Sequence, residues 1–163
     1  MLFLALVFAY LVIERETTQP PVLKARLANA AAQAASPEYS ARIKAAEQLL
    51  EAGNMGKLKP LLDELIGGHP YQAEPLMVLA DYYIRRQEPM AAMHAFRQAL
   101  DLNLDYLEKQ SPLYQGKKIR NTVREAEEQL NLARVKSPAD PTIRESRQEV
   151  YYMLRKLAGG CSD

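Results

Sequence analysis

The sequence predicts an all-α chain: a short solenoid of about two helical repeats, followed by two longer carboxy-terminal helices and headed by an apolar amino-terminal helix. Three observations predict it. Segments of helix length alternate with proline and glycine punctuation. One set of apolar spacings recurs at a fixed distance along the chain. β-Branched residues never alternate with polar ones over a useful length, so no strand is expected. Composition agrees. Apolar residues make up 48% and charged residues 25% of 163, the balance of about one folded domain rather than a disordered chain. A formal net charge of +1 supplies no global field for nucleic acid. Cys161 is the single cysteine, so no disulfide closes within the chain. It reads as a free thiol, with a lipid site or an intermolecular disulfide as alternatives.

Residues 1–16 come first. MLFLALVFAYLVI runs thirteen residues without a charge before Glu14, Arg15 and Glu16 close it. A helix of that length is about 20 Å long, short of the ~30 Å hydrocarbon core. Three readings compete. A signal peptide wants a basic start, and here only the terminal amine serves. A buried core helix wants a polar face, and this segment has none. A membrane anchor fits if the bilayer thins locally or other membrane helices pack around it. The anchor is the reading adopted, and it implies a bacterial inner membrane with the body on an undecided side. Lys24 and Arg26 mildly favour the cytoplasm; analogy with small anchored bacterial proteins favours the periplasm.

Residues 17–38 are expected to be a linker and lead-in helix. Pro20-Pro21 is a stiff break, residues 22–35 are rich in helix formers, and Ser36-Pro37-Glu38 is a helix start signal. Helical pieces follow at 41–52, ended by Gly53, and at 57–66, ended by Gly67-Gly68. Others lie at 75–86 and 89–102. Ser111-Pro112 opens a further piece. A long helix is predicted over 117–136 and a last one from Asp140-Pro141 to about 158, stopped by Gly159-Gly160.

Within residues 73–106, Leu76, Leu79, Ala80 and Tyr83 share one helix face, and Ala92, Phe96, Ala99 and Leu100 share another. Small Ala80 and Ala92 stand where two antiparallel helices would approach most closely. This spacing resembles the tetratricopeptide repeat (TPR), a 34-residue helical hairpin. One period upstream a degraded copy stands: Ala45 and Ala46, Leu49, Gly53, Leu58, Leu62, Leu65, Ile66 and Pro70. Leu58 is large for the close-contact position. Pro60 implies that the second helix of that unit starts late, near Lys57, with Pro60 in its first turn. The second unit carries Leu104 where the family closes on proline. The two units cover 39–106, and residues 107–163 do not continue the pattern. There Ile119, Val123, Ala126, Leu130 and Ala133 form one stripe, and Ile143, Val150, Tyr151, Leu154 and Leu157 another. They read as helices that cap the array, or as a hairpin that recruits a partner.

Chemistry is sparse. His69 and His94 lack Cys or acid partners at ligand spacing, so no metal is expected. The glycine pairs end helices rather than opening them, so no phosphate loop is expected. No nucleophile motif is present and Glu127-Glu128 reads as solvated surface. No cofactor, small-molecule substrate, nucleic acid or catalytic role is expected. Lys117, Lys118, Arg120 and Arg124 make a basic patch at the start of the long helix. It reads as a solvated face, or as a contact for a membrane surface or acidic partner.

The TPR resemblance implies that the first helices of successive repeats line a groove. Carried over, the groove candidates are Ile43, Glu47, Leu50, Met77, Asp81, Ile84 and Arg85. These mixed acidic and apolar residues depart from the Lys and Asn of carboxylate-clamping members. They suit a helix or an extended apolar segment. The expected function is therefore a membrane-anchored scaffold that binds proteins as an assembly or accessory factor of a membrane complex. The alternative is a stoichiometric structural subunit, its first helix packed among partner helices.

Overall fold

The computed structural model describes residues 36–137 and 140–159. These form six α-helices and one 3-10 turn, and no strand occurs among them. The chain is all-α, as its patterning predicts. The apolar segment 1–16, the lead-in helix 22–35 and Cys161 lie outside the described residues. None of the described helices is long and apolar enough to cross a membrane.

Helix α1 is Pro37–Glu51. It starts earlier than residue 41 because the start signal works: the Ser36 hydroxyl accepts from the Tyr39 amide at 3.1 Å, and Pro37 occupies the first turn, where its missing N–H costs nothing. Helix α2 is Met55–Gly68. Its expected start near Lys57 is corrected to Met55. The Asn54 side chain accepts from the Lys57 amide at 3.4 Å and sets the boundary, so Pro60 falls in the second turn. Helices α3, Glu74–Arg85, and α4, Pro89–Leu102, follow. After the 3-10 turn Leu104–Tyr106 come α5, Gly116–Lys136, and α6, Pro141–Gly159. No helix opens at Ser111-Pro112. Local bonds satisfy that backbone instead: Leu113 N–H donates to the Ser111 hydroxyl at 3.1 Å, and Gln115 N–H donates to the Tyr106 carbonyl at 2.8 Å.

The period legible in the sequence recurs in the helix boundaries. Met55 and Pro89, Gly68 and Leu102, and Glu51 and Arg85 each stand 34 residues apart. The turns match too. After α1, Gly53 N–H donates to Leu50 O and Asn54 N–H to Leu49 O; after α3, Gln87 N–H donates to Ile84 O and Glu88 N–H to Tyr83 O. Both are Schellman closures, which need a left-handed residue. Gly53 supplies it at φ 70° without strain, and Gln87 adopts φ 60° at a steric cost.

Helix pairs pack in sequence order. α2 packs on α1, α3 on both, α4 most extensively on α3, α5 on α4, and α6 on α5 with a smaller seam to α4. Two cores result. The first holds Tyr39, Ala46, Leu50, Leu58, Leu62 and Leu65 with Val78 and Tyr82 of α3. The second runs from Leu76 and Ala80 through Phe96 and Ala99 to Ile119, Val123, Val150 and Met153. Leu58, oversized for the close-contact position, is fully buried and fills the first core. Each such leucine contributes about 1.5–3 kcal/mol of burial. The α5 stripe is buried as predicted, with Ala133 partly so. On α6 one position changes: Tyr151 is 47% exposed, and Met153 takes the core place.

Candidate docking surfaces

α3 lies between α1 and α2 on one side and α4 on the other. A helix flanked on two sides buries a wide arc, and this decides the fate of the predicted groove. Met77 is 4% exposed in the second core, and Leu50 is 9% exposed in the first. Neither presents a side chain to a groove. Glu47 and Arg85 are exposed, and Ile43, Asp81 and Ile84 are half-buried. The face that α1 and α3 leave open is therefore smaller than the sequence implies.

The structure joins the two predicted residue sets at one point. Lys118 Nζ lies 2.7 Å from one Asp81 carboxylate oxygen and donates to the other at 2.8 Å. It also sits 5.9 Å from the centre of the Phe96 ring. A groove candidate on α3 and a basic-patch candidate on α5 thus satisfy each other and tie their helices together. Lys117, Arg120 and Arg124 remain exposed on α5.

A denser polar seam joins α4 to α6, and sequence reasoning missed it. His94 Nδ1 and Glu149 Oε1 are 2.7 Å apart, and His94 Nε2 and Gln98 Nε2 are 2.8 Å apart. Arg97 donates to the same Glu149 oxygen at 3.1 Å, and its guanidinium lies 4.9 Å from the centre of the Tyr152 ring. The Tyr152 hydroxyl donates to Asp101 at 2.7 Å, and Lys156 Nζ also donates to Asp101. Burial pushes the Asp101 carboxyl up, but the bonds from Lys156 and Tyr152 outweigh it and hold the group below its usual range. Burial lowers Lys156, and its bonds to Asp101 and Tyr152 raise it further than burial lowers it. His94 has an acid partner after all, 55 residues away in sequence, which local spacing cannot reveal.

A third cluster ties α1 to α3. The Tyr39 hydroxyl donates to Glu74 at 3.2 Å, and its ring meets His69 edge-on at 4.7 Å. Burial and then the Glu74 carboxylate push the Tyr39 phenol well above its ordinary value. Burial first, then Glu74 and Asp105, push Tyr106 up to about 12. Two phenols beside one carboxylate stay neutral, which suits a packing contact. Among the described residues, no three His, Cys, Asp or Glu side chains group closely enough to hold a metal ion.

The last hairpin leaves a notch. Arg134 of α5 and Arg144, Arg147, Gln148 and Tyr151 of α6 line it with Ile143, around a volume of ≈ 610 Å³. No family model matches the chain, and no curated protein or solved structure matches it.

Proposed function

We propose that the chain is a TPR-like scaffold, anchored in a membrane by residues 1–13, that docks proteins as an assembly or accessory factor of a membrane complex. One observation carries this reading: the 34-residue recurrence of α2 as α4, with matching Schellman closures at Gly53 and Gln87. Hairpins repeated at that period stack neighbour on neighbour and leave the flanks of the array free for partners. Glu47, Ile84 and Arg85 provide charged and apolar contacts on the flank formed by the first helices. Anchoring raises the effective concentration of a small docking surface beside a membrane partner. No catalytic group or cofactor belongs to this reading.

The test uses the tagged full chain in its native membranes. Under this reading the protein resists alkaline carbonate extraction and co-purifies from detergent with specific proteins. Glu47→Lys with Arg85→Glu then weakens that recovery. A chain that washes off with carbonate, or elutes alone from gently solubilised membranes, overturns it. The shortness of residues 1–13 favours a second reading, a stoichiometric subunit with that helix packed among partner helices. A subunit stays at fixed ratio through size exclusion in detergent, whereas an assembly factor is lost.

A further inference from the structure

We infer that the notch between α5 and α6 is a docking site for an acidic helical segment of a partner protein, distinct from the face formed by α1 and α3. The inference deepens the protein-docking reading and rests on it. Helix α6 carries two flanks of different character. One flank, Glu149, Tyr152 and Lys156, faces α4, where its charges are matched by His94, Arg97 and Asp101. The other, Arg144, Arg147 and Tyr151, is unmatched. Among the described residues Arg134, Arg144 and Arg147 meet no carboxylate at ion-pair distance. The notch also carries one acid, Asp140, whose oxygen accepts from the Thr142 amide at 2.9 Å and the Thr142 hydroxyl at 2.7 Å; three arginines against this one carboxylate leave the notch positive.

Position and geometry select the occupant. Its lining comes from α5, α6 and the turn between them, with no residue of α4, so it belongs to the last hairpin of the described array. Tyr151, 47% exposed, gives it an apolar wall, with the buried Ile143 beneath. The Arg147 guanidinium lies 5.4 Å from the centre of the Tyr151 ring, which orients it before a ligand arrives. Guanidinium groups present paired donors that match carboxylates two at a time. A helix with Asp or Glu on one face and apolar residues beside them meets all of these features. A bilayer surface, which is broad and flat, meets protruding side chains better than an inset pair of helices.

The experiment uses the detergent-solubilised full chain and a synthetic twenty-residue amphipathic helix labelled with fluorescein, its polar face made of glutamate. A second peptide carries lysine at the same positions. Fluorescence anisotropy is expected to show the glutamate peptide binding, more weakly as salt rises. Arg144→Glu with Arg147→Glu weakens it at least about tenfold and transfers preference to the lysine peptide. Helicity and melting temperature of the variant report whether it folds, and Arg144→Gln with Arg147→Gln provides a milder second test. Equal binding of both peptides, or no change in either variant, overturns the inference. So does charge-dependent binding of the folded chain to phosphatidylglycerol vesicles that both variants abolish while peptide binding is unaffected. Failure of the broader docking reading looks different: nothing co-purifies from native membranes with the unaltered chain. Partners that persist with the glutamate variant, alongside unchanged peptide binding, overturn this site alone.

Discussion

Leu58→Ala removes a side chain that is 0% exposed from a core in which Ala46, Leu62 and Leu65 are 0% exposed as well. Neighbours packed that closely cannot collapse far into the space. Leucine-to-alanine changes at such sites cost about 2.7–5 kcal/mol, and a cost near the low end, about 3 kcal/mol, raises the opening constant on the order of 150-fold. The structure further says where that loss is felt. The first core reaches the second mainly through α3, with Leu79 packed against both and Ile66 of α2 touching the second at its edge, and α5 and α6 pack chiefly on α4 and on each other. Stability in such an array sums unit terms and neighbour terms. Amide hydrogen exchange on the detergent-solubilised full chain therefore has a defined pattern. Protection in α1 and α2 falls by the full factor, and protection in α6 falls far less. Met153→Ala, at a fully buried position of α6, reverses the order. Equal losses of protection in α2 and α6 for Leu58→Ala would mean one cooperative unit and refute the nearest-neighbour account.

Three further predictions follow from the turns and ion pairs. Gln87→Gly is expected to stabilise the chain by about 0.5–1 kcal/mol, because glycine adopts the left-handed φ of 60° without the penalty that glutamine bears; Gly53→Gln costs a similar amount, and chemical denaturation of both variants checks the pair. Asp81→Lys and Lys118→Asp each lower the melting temperature, and the double swap recovers part of it. With the two side chains 28% and 37% exposed, the coupling in the double-mutant cycle is below about 1 kcal/mol, and a larger value contradicts the exposure. The α4–α6 seam depends on pH at both ends. Asp101, whose carboxyl is depressed, contributes above the usual carboxylate value of about 4 and stops contributing as pH falls through its folded value. Lys156, raised, contributes below about 10.4 and stops as pH rises through its folded value. Melting temperature against pH is thus steeper below pH 4 for the unaltered chain than for Asp101→Asn, and superimposable acid limbs would contradict the seam.

Most of the secondary structure was legible because it is local. Ser36-Pro37-Glu38, the prolines at 75 and 89 and the glycine at 53 act within one helical turn, so they mark boundaries without reference to the fold. The errors lie where a side chain chose between local options. Asn54 capped α2 earlier than Pro60 suggested, and Ser111 closed a turn instead of a helix. The docking surface was less legible. Leu50 and Met77 occupy the right helices, but which flank of α3 stays open depends on how many neighbours it has. Lys118 reads as one member of a basic patch until α5 brings it to Asp81, 37 residues away. His94 reads as isolated until α6 brings Glu149 to it.

By itself the sequence determined the helices, their 34-residue period and the apolar stripes of α5 and α6, because helix propensity, capping and burial of one face are set by residues within a few turns of each other. Only the tertiary structure decided which charges are spent. Asp81 and Lys118 are consumed in a clasp, and Glu149, Asp101 and Lys156 in a seam. Arg134, Arg144 and Arg147 are left facing outward around a notch. Ion pairing depends on distances of a few ångströms between helices far apart in sequence, and no local pattern encodes those.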